Sequence, residues 1–237
     1  MNAPRSAART WTLGLVRRRT VWVPTRRLWV LLAVFAALGL YALRWSHAFL
    51  SLTASVEASV LVVEGWLPDY ALAESKNEFE RHGYDLIITT GGPLERGSFL
   101  ANSPSYADLG SATLRRLGLT PNEVQPAPAR SSRHNRTYAA AMGLKAWLME
   151  NSPRVRSMNV VTLGVHARRS RMMYQHALGD DFQIGIIALR DRDYEPESWW
   201  LYSAGLKGVM TEGTAYVHAK LFFDPELEHF LPPFEQP

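Results

Sequence analysis

The 237-residue chain contains no cysteine, so its fold uses no disulfide, and zinc–thiolate and thiol-nucleophile chemistry are excluded. Several site signatures are missing as well. No G-x-G-x-x-G or Walker A loop follows an apolar run, which leaves a dinucleotide or P-loop nucleotide site without motif support. There is no H-E-x-x-H and no D-x-D-x-D-G loop, and the acidic "DRDYEPE" reads as a solvated loop, so no metal is expected. A G-x-S-x-G nucleophile elbow is absent. These absences leave the cofactor open.

Basic charge is also scarce where a nucleic-acid surface would need it. The net charge is +4, but residues 1–58 carry eight arginines against Glu57 alone, and the remainder has 18 Lys plus Arg against 21 Asp plus Glu. The folded part is therefore slightly acidic, and no nucleic-acid partner is expected. The positive excess sits in a leader: seven arginines from Arg5 to Arg27, then "LWVLLAVFAALGLYAL" from Leu28 to Leu43. At roughly 1.5 Å per residue that run falls slightly short of a bilayer core of about 30 Å. Arg44 can snorkel, and Trp29, Tyr41 and Trp45 suit the interfaces. We expect a basic cytoplasmic segment over 1–27, a transmembrane signal anchor over 28–45 and a linker over 46–58. The arginine asymmetry predicts a cytoplasmic N-terminus and an extracytoplasmic C-terminal domain in a single-pass protein of the cytoplasmic membrane. A cleaved signal peptide, with "SHA" at Ser46–Ala48 as its small-residue site, gives the domain the same address.

After the linker, apolar runs alternate with helical patterns. "SVLVVEG" (59–65), "DLIITTGG" (85–92) and "MNVVTLGV" (158–165) are predicted strands, as are "FQIGIIAL" (182–189) and, more weakly, "NEVQPAP". Helices are predicted over 70–83, 105–118, 135–151 and 167–179, with a closing helix over about 198–223 broken near Gly205 to Gly213. Strands apolar throughout and separated by helices imply a parallel sheet of about five strands covered on both faces, an α/β sandwich over 59–223 followed by a tail over 224–237. In such folds ligands bind beyond the carboxyl ends of the strands.

Those ends carry the candidate residues. Glu64 and Gly65 follow the first strand. Thr90, Gly91 and Gly92 end the second, where two glycines expose backbone N–H groups as an anion nest. A helix starting at Asn135, Arg136 and Thr137 suits an anion or simple capping. In "TLGVHARRS" another helix begins beside His166, a general acid–base candidate. Arg168 and Arg171, three residues apart, are expected to share a face as anion clamps, with Arg169 pointing elsewhere. Glu64 is the second ionisable candidate, and Glu212 within the apolar closing helix calls for a definite partner.

An apolar strand running into Gly65, the Gly91–Gly92 pair, Arg136–Thr137 before an Ala-rich helix, His166 with Arg168 and Arg169, and a late Glu212 together resemble the YdcF-like family, related to SanA and ElyC. The resemblance covers roughly 59–223. It implies a Rossmann-like domain, often membrane-anchored in envelope members, and a link to envelope integrity and cell-wall precursor metabolism. Glu64 and Trp66 stand where family members are glycine-rich, and "PARSSRHNRT" stands where they have an acidic residue. These departures imply a subgroup with a more cationic pocket. The expected function is binding of an anionic, phosphorylated or glycan-linked envelope metabolite, free or lipid-linked, by a hydrolase or transferase. A non-catalytic sensor or docking protein is the alternative, and a nucleotide or S-adenosylmethionine enzyme a further one.

Overall fold

A computed structural model describes residues 23–94, 103–132 and 134–225. Arg133, most of the basic leader and nearly all of the tail lie outside the described residues. The chain divides into two units after Ala42. In the first lies most of α1 (Arg26–Leu50), a helix long and apolar enough to cross a membrane.

The second unit is an α/β domain built from β1 (Val60–Glu64), α2 (Asp69–His82), β2 (Leu86–Gly91), α3 (Tyr106–Arg116), β3 (Val124–Pro128), α4 (Arg136–Asn151), β4 (Ser157–Leu163), α5 (Ala167–Leu178), β5 (Gln183–Leu189) and α6 (Ser203–Phe222). All strand pairs are parallel and the sheet order is β3-β2-β1-β4-β5. This is the expected Rossmann-like sandwich. The order reverses between β1 and β4, so their carboxyl ends diverge into the crevice where such folds bind ligands.

Strand alternation divides the core. Val60 and Val62 join Val160, Ile184 and Ile186 beneath α4 and α5, while Leu61 and Val63 join Ile87, Val161 and Ile187 beneath α2 and α3. Every residue of β1 is buried, which explains its unbroken β-branched run. The prolines of β3, Pro126 and Pro128, are tolerated because β3 is an edge strand.

Helix ends follow local chemistry. Ser105 caps α3 by accepting from the Asp108 N–H (3.1 Å). Gly83 ends α2 in the left-handed region, at φ 65°. Contrary to expectation, α6 runs unbroken through Gly205, Gly208 and Gly213, and a 3-10 segment (Pro196–Leu201) precedes it. At Gly205 a Cβ would lie 2.4 Å from the Trp199 carbonyl oxygen, so this glycine serves close packing instead of a kink. Residues 46–58 are not a bare linker either. The helix α1 continues to Leu50, where His47 and Leu50 are buried, and Ala54 bridges Ile186. Asn159 of β4 then holds both the N–H and the carbonyl of Val56 (2.8 Å each).

Candidate active site

Glu64 is the last residue of β1 and only 2% exposed. A buried carboxylate needs donors, and three surround it. Ser170 Oγ donates to Oε1 (2.8 Å), while Thr162 Oγ1 and Trp66 Nε1 (3.0 Å) donate to Oε2. The donors come from β4, α5 and the loop after β1, so Glu64 ties together the elements flanking the topological switch.

His166 ends a 3-10 turn (Gly164–His166) between β4 and α5, opened by Gly164 at φ 45°. Its Nε2 lies 3.8 Å from Glu64 Oε2, beyond hydrogen-bond reach, and its Nδ1 lies 3.0 Å from Glu212 Oε1. Trp66 meets the ring edge-to-face at 5.2 Å. The imidazole is thus held through Nδ1 with Nε2 facing the Glu64 carboxylate, the orientation that fits an acid–base group.

Glu212 is the partner that the sequence demanded. Arg169 grips it with two bonds, Nε to Oε2 (2.8 Å) and Nη2 to Oε1 (3.1 Å), the fork geometry arginine is built for. Burial raises the Glu212 pKa, but hydrogen bonds from His166 and Arg169, with their charges, overcome it and hold the carboxyl down at about 2. Arg169 also reaches Thr137 Oγ1 at 3.4 Å, bringing the start of α4 into the network. On the other side of Glu64, the buried Tyr174 hydroxyl bonds Thr90 Oγ1 (2.6 Å). Burial and the nearby Glu64 charge raise its pKa, so it remains a neutral phenol.

The structure therefore brings together Glu64, His166, Glu212 and Thr137 from the sequence-based candidates. It reorders the arginines. Arg169, expected to point elsewhere, is the one in the cluster, and its i,i+3 spacing from His166 was the available signal. Arg168 stacks over the Phe49 ring (3.9 Å) and donates to the Phe49 carbonyl, fastening α5 to the end of α1. Arg171 donates to the Ile184 carbonyl (3.0 Å) at the amino end of β5, away from the strand carboxyl ends. They do not share a clamp face. The donors Thr162 and Ser170 were missed, because neither stands out until the fold sets it beside Glu64.

The glycine candidates also have a packing use. A Cβ at Gly65 would lie 2.1 Å from the Tyr106 carbonyl oxygen, and one at Gly91 would lie 2.6 Å from the Tyr106 Cβ. The start of α3 occupies the space expected for a ligand beside an anion nest. At Gly92 the nearest atom to a Cβ is the Arg130 carbonyl oxygen, at 3.6 Å. Thr90 is buried, and its carbonyl accepts the Gly65 N–H (2.7 Å). Asn135 stands at the N-cap position of α4, and Arg136 begins the helix, one residue before Thr137. Among the described residues no three histidine or acidic side chains converge to hold a metal ion. No protein-family model and no curated protein matches this chain.

Proposed function

We propose that the domain is a membrane-anchored, extracytoplasmic hydrolase or transferase acting on an anionic, phosphorylated or glycan-linked envelope metabolite. His166 is its acid–base group. The observation that carries this reading is the fixed imidazole, bound to Glu212 through Nδ1 (3.0 Å) and facing Glu64 across 3.8 Å through Nε2. Nδ1 stands 3.0 Å from Glu212 Oε1 and 3.1 Å from Arg169 Nη2; when its hydrogen is directed to Glu212, the Nε2 lone pair is left to take a proton from water or a substrate hydroxyl and return it to the leaving group. The negative Glu212 stabilises the imidazolium formed in between. An anionic substrate suits the positive dipole ends of α4 and α5, which start at the strand carboxyl ends, with Arg136 in the first turn of α4. The resemblance to YdcF-like envelope proteins points to the same substrate class. The span in α1 and the arginine-rich leader support an anchor with its N-terminus in the cytoplasm.

The test is a thermal-shift and turnover screen of the full-length protein against sugar phosphates, nucleotide sugars, polyprenyl phosphates and S-adenosylmethionine. At least one phosphorylated compound is expected to raise the midpoint. His166→Gln is expected to lower turnover of that compound about 10²–10⁴-fold while the midpoint without ligand stays within a few degrees. No shift and no turnover with any phosphorylated compound would remove this reading, and a shift with S-adenosylmethionine alone would replace it.

One observation favours a second reading. The two-point grip of Arg169 on Glu212 fastens α6 to α5, as a purely structural clamp in a sensor or docking protein would. A ligand that binds without turnover, in wild type and His166→Gln alike, would select it.

A further inference from the structure

The apolar surface of α6 exceeds what the fold uses. Leu206, Met210, Val217 and Leu221 are 47, 50, 53 and 68% exposed. At about 100° per residue these four fall within an arc of roughly 60° on the helix. The neighbouring flank of α6 receives the end of α1. Leu50 clusters with Val209, and Phe49 meets Tyr216 edge-to-face at 5.6 Å. Close by in sequence, Arg44 lies 4.9 Å from the ring centre of Trp200, just ahead of α6.

Chain connectivity supplies the partner. If the run Leu28–Leu43 crosses a bilayer, Phe49 follows Arg44 by about 7 Å of helical rise, so the part of α6 that Phe49 touches lies beside the headgroups. The composition of α6 agrees. Its one acid, Glu212, is turned inward to Arg169, and its exposed charges are Lys207 and Lys220. Aliphatic side chains flanked by lysines, with tryptophan at the margin, are the pattern of a helix lying in the plane of an anionic membrane surface.

We propose that the Leu206–Leu221 stripe of α6 seats in the headgroup region of the bilayer that α1 crosses, forming a second, in-plane membrane contact. This rests on the reading of α1 as a span.

The absence of cysteine makes single nitroxide labels site-specific. The full-length protein is placed in nanodiscs of phosphatidylglycerol and phosphatidylcholine, labelled in turn at Met210→Cys, Val217→Cys, Leu38→Cys and Met149→Cys. Met149, on α4 and 70% exposed, is the aqueous control. The collision ratio of oxygen to a water-soluble nickel chelate is expected to be several-fold higher at Met210 and Val217 than at Met149. If Leu38 is lipid-exposed while Met210 and Val217 match Met149, the in-plane contact is refuted and the anchor stands. If Leu38 itself matches Met149, the anchor reading fails and takes the contact with it. Shielding from both reagents, or spin–spin broadening, at Met210 and Val217 would reveal protein cover, a second copy included, and would overturn the lipid assignment.

Discussion

At the carboxyl ends of β1 and β4, ionisable side chains meet one another: Arg169 grips Glu212, Glu212 holds His166, and His166 faces Glu64. At the amino ends of β4 and β5, arginines meet the backbone. Arg156 donates to the carbonyls of Pro153 (2.7 Å) and Val155 (2.8 Å), and Arg171 to that of Ile184 (3.0 Å). The second arrangement fastens loops. The first sets ionisable groups against one another, and His166 and Arg169 together hold the Glu212 pKa down. The amino-end groove, lined by Arg156, Arg171, Asp180 and Asp181, is about 580 Å³ and open to solvent. Its size does not make it the better site, because its arginines are already committed to main-chain carbonyls.

The largest effect that would test this difference comes from Glu64→Ala. It leaves the donors Thr162, Ser170 and Trp66 without their acceptor in a buried setting, and a loss of about 3–5 kcal/mol is expected in chemical denaturation. A loss below about 1 kcal/mol would mean that water replaces the carboxylate easily and that the carboxyl end is no more tightly organised than the amino end.

Next in size is Glu212→Gln. The folded-state pKa of Glu212, about 2, lies below the unfolded value of 4.5, so the unfolded chain binds the proton first as the medium is acidified. The resulting stabilisation is fully present above pH 4.5 and is lost as pH falls toward 2. A gap of that width corresponds to about 3 kcal/mol. Glu212→Gln is therefore expected to be about 3 kcal/mol less stable at pH 7, and its deficit against wild type should shrink progressively below pH 4.5. A deficit independent of pH across that window would assign the loss to packing instead of charge.

The sheet and its covering helices were legible because their signals are local: apolar β-branched runs, helical spacing and glycine stops. The reach of α6 was less so, because Gly205 and Gly213 look like breaks until Trp199 and the end of α1 are packed against them. Glu64 and His166 were legible for a topological reason, since both follow strands that flank the reversal of sheet order. The arginines of α5 were not. Their roles depend on partners far along the chain: Phe49 for Arg168, Glu212 for Arg169 and Ile184 for Arg171. Helical spacing says which residues share a face, but not which face meets the site. The intervening 3-10 turn also hides the phase between His166 and the helix that follows.

The smallest expected effect bears on that reassignment. Arg171→Gln removes a single bond to the Ile184 carbonyl at a partly exposed position, which predicts a loss of about 1 kcal/mol. Its ligand-induced thermal shift should equal that of wild type. Arg169→Gln should diminish the same shift, because Arg169 holds Glu212 and contacts Thr137 at the start of α4. Both substitutions remove one positive charge from the same helix, so a general electrostatic attraction of the ligand would weaken binding equally in the two variants. Only a ligand seated at the strand carboxyl ends separates them. Should Arg171→Gln abolish the shift while Arg169→Gln preserves it, the amino-end groove would be the binding site, and the network around His166 would be left with the task of pinning α6.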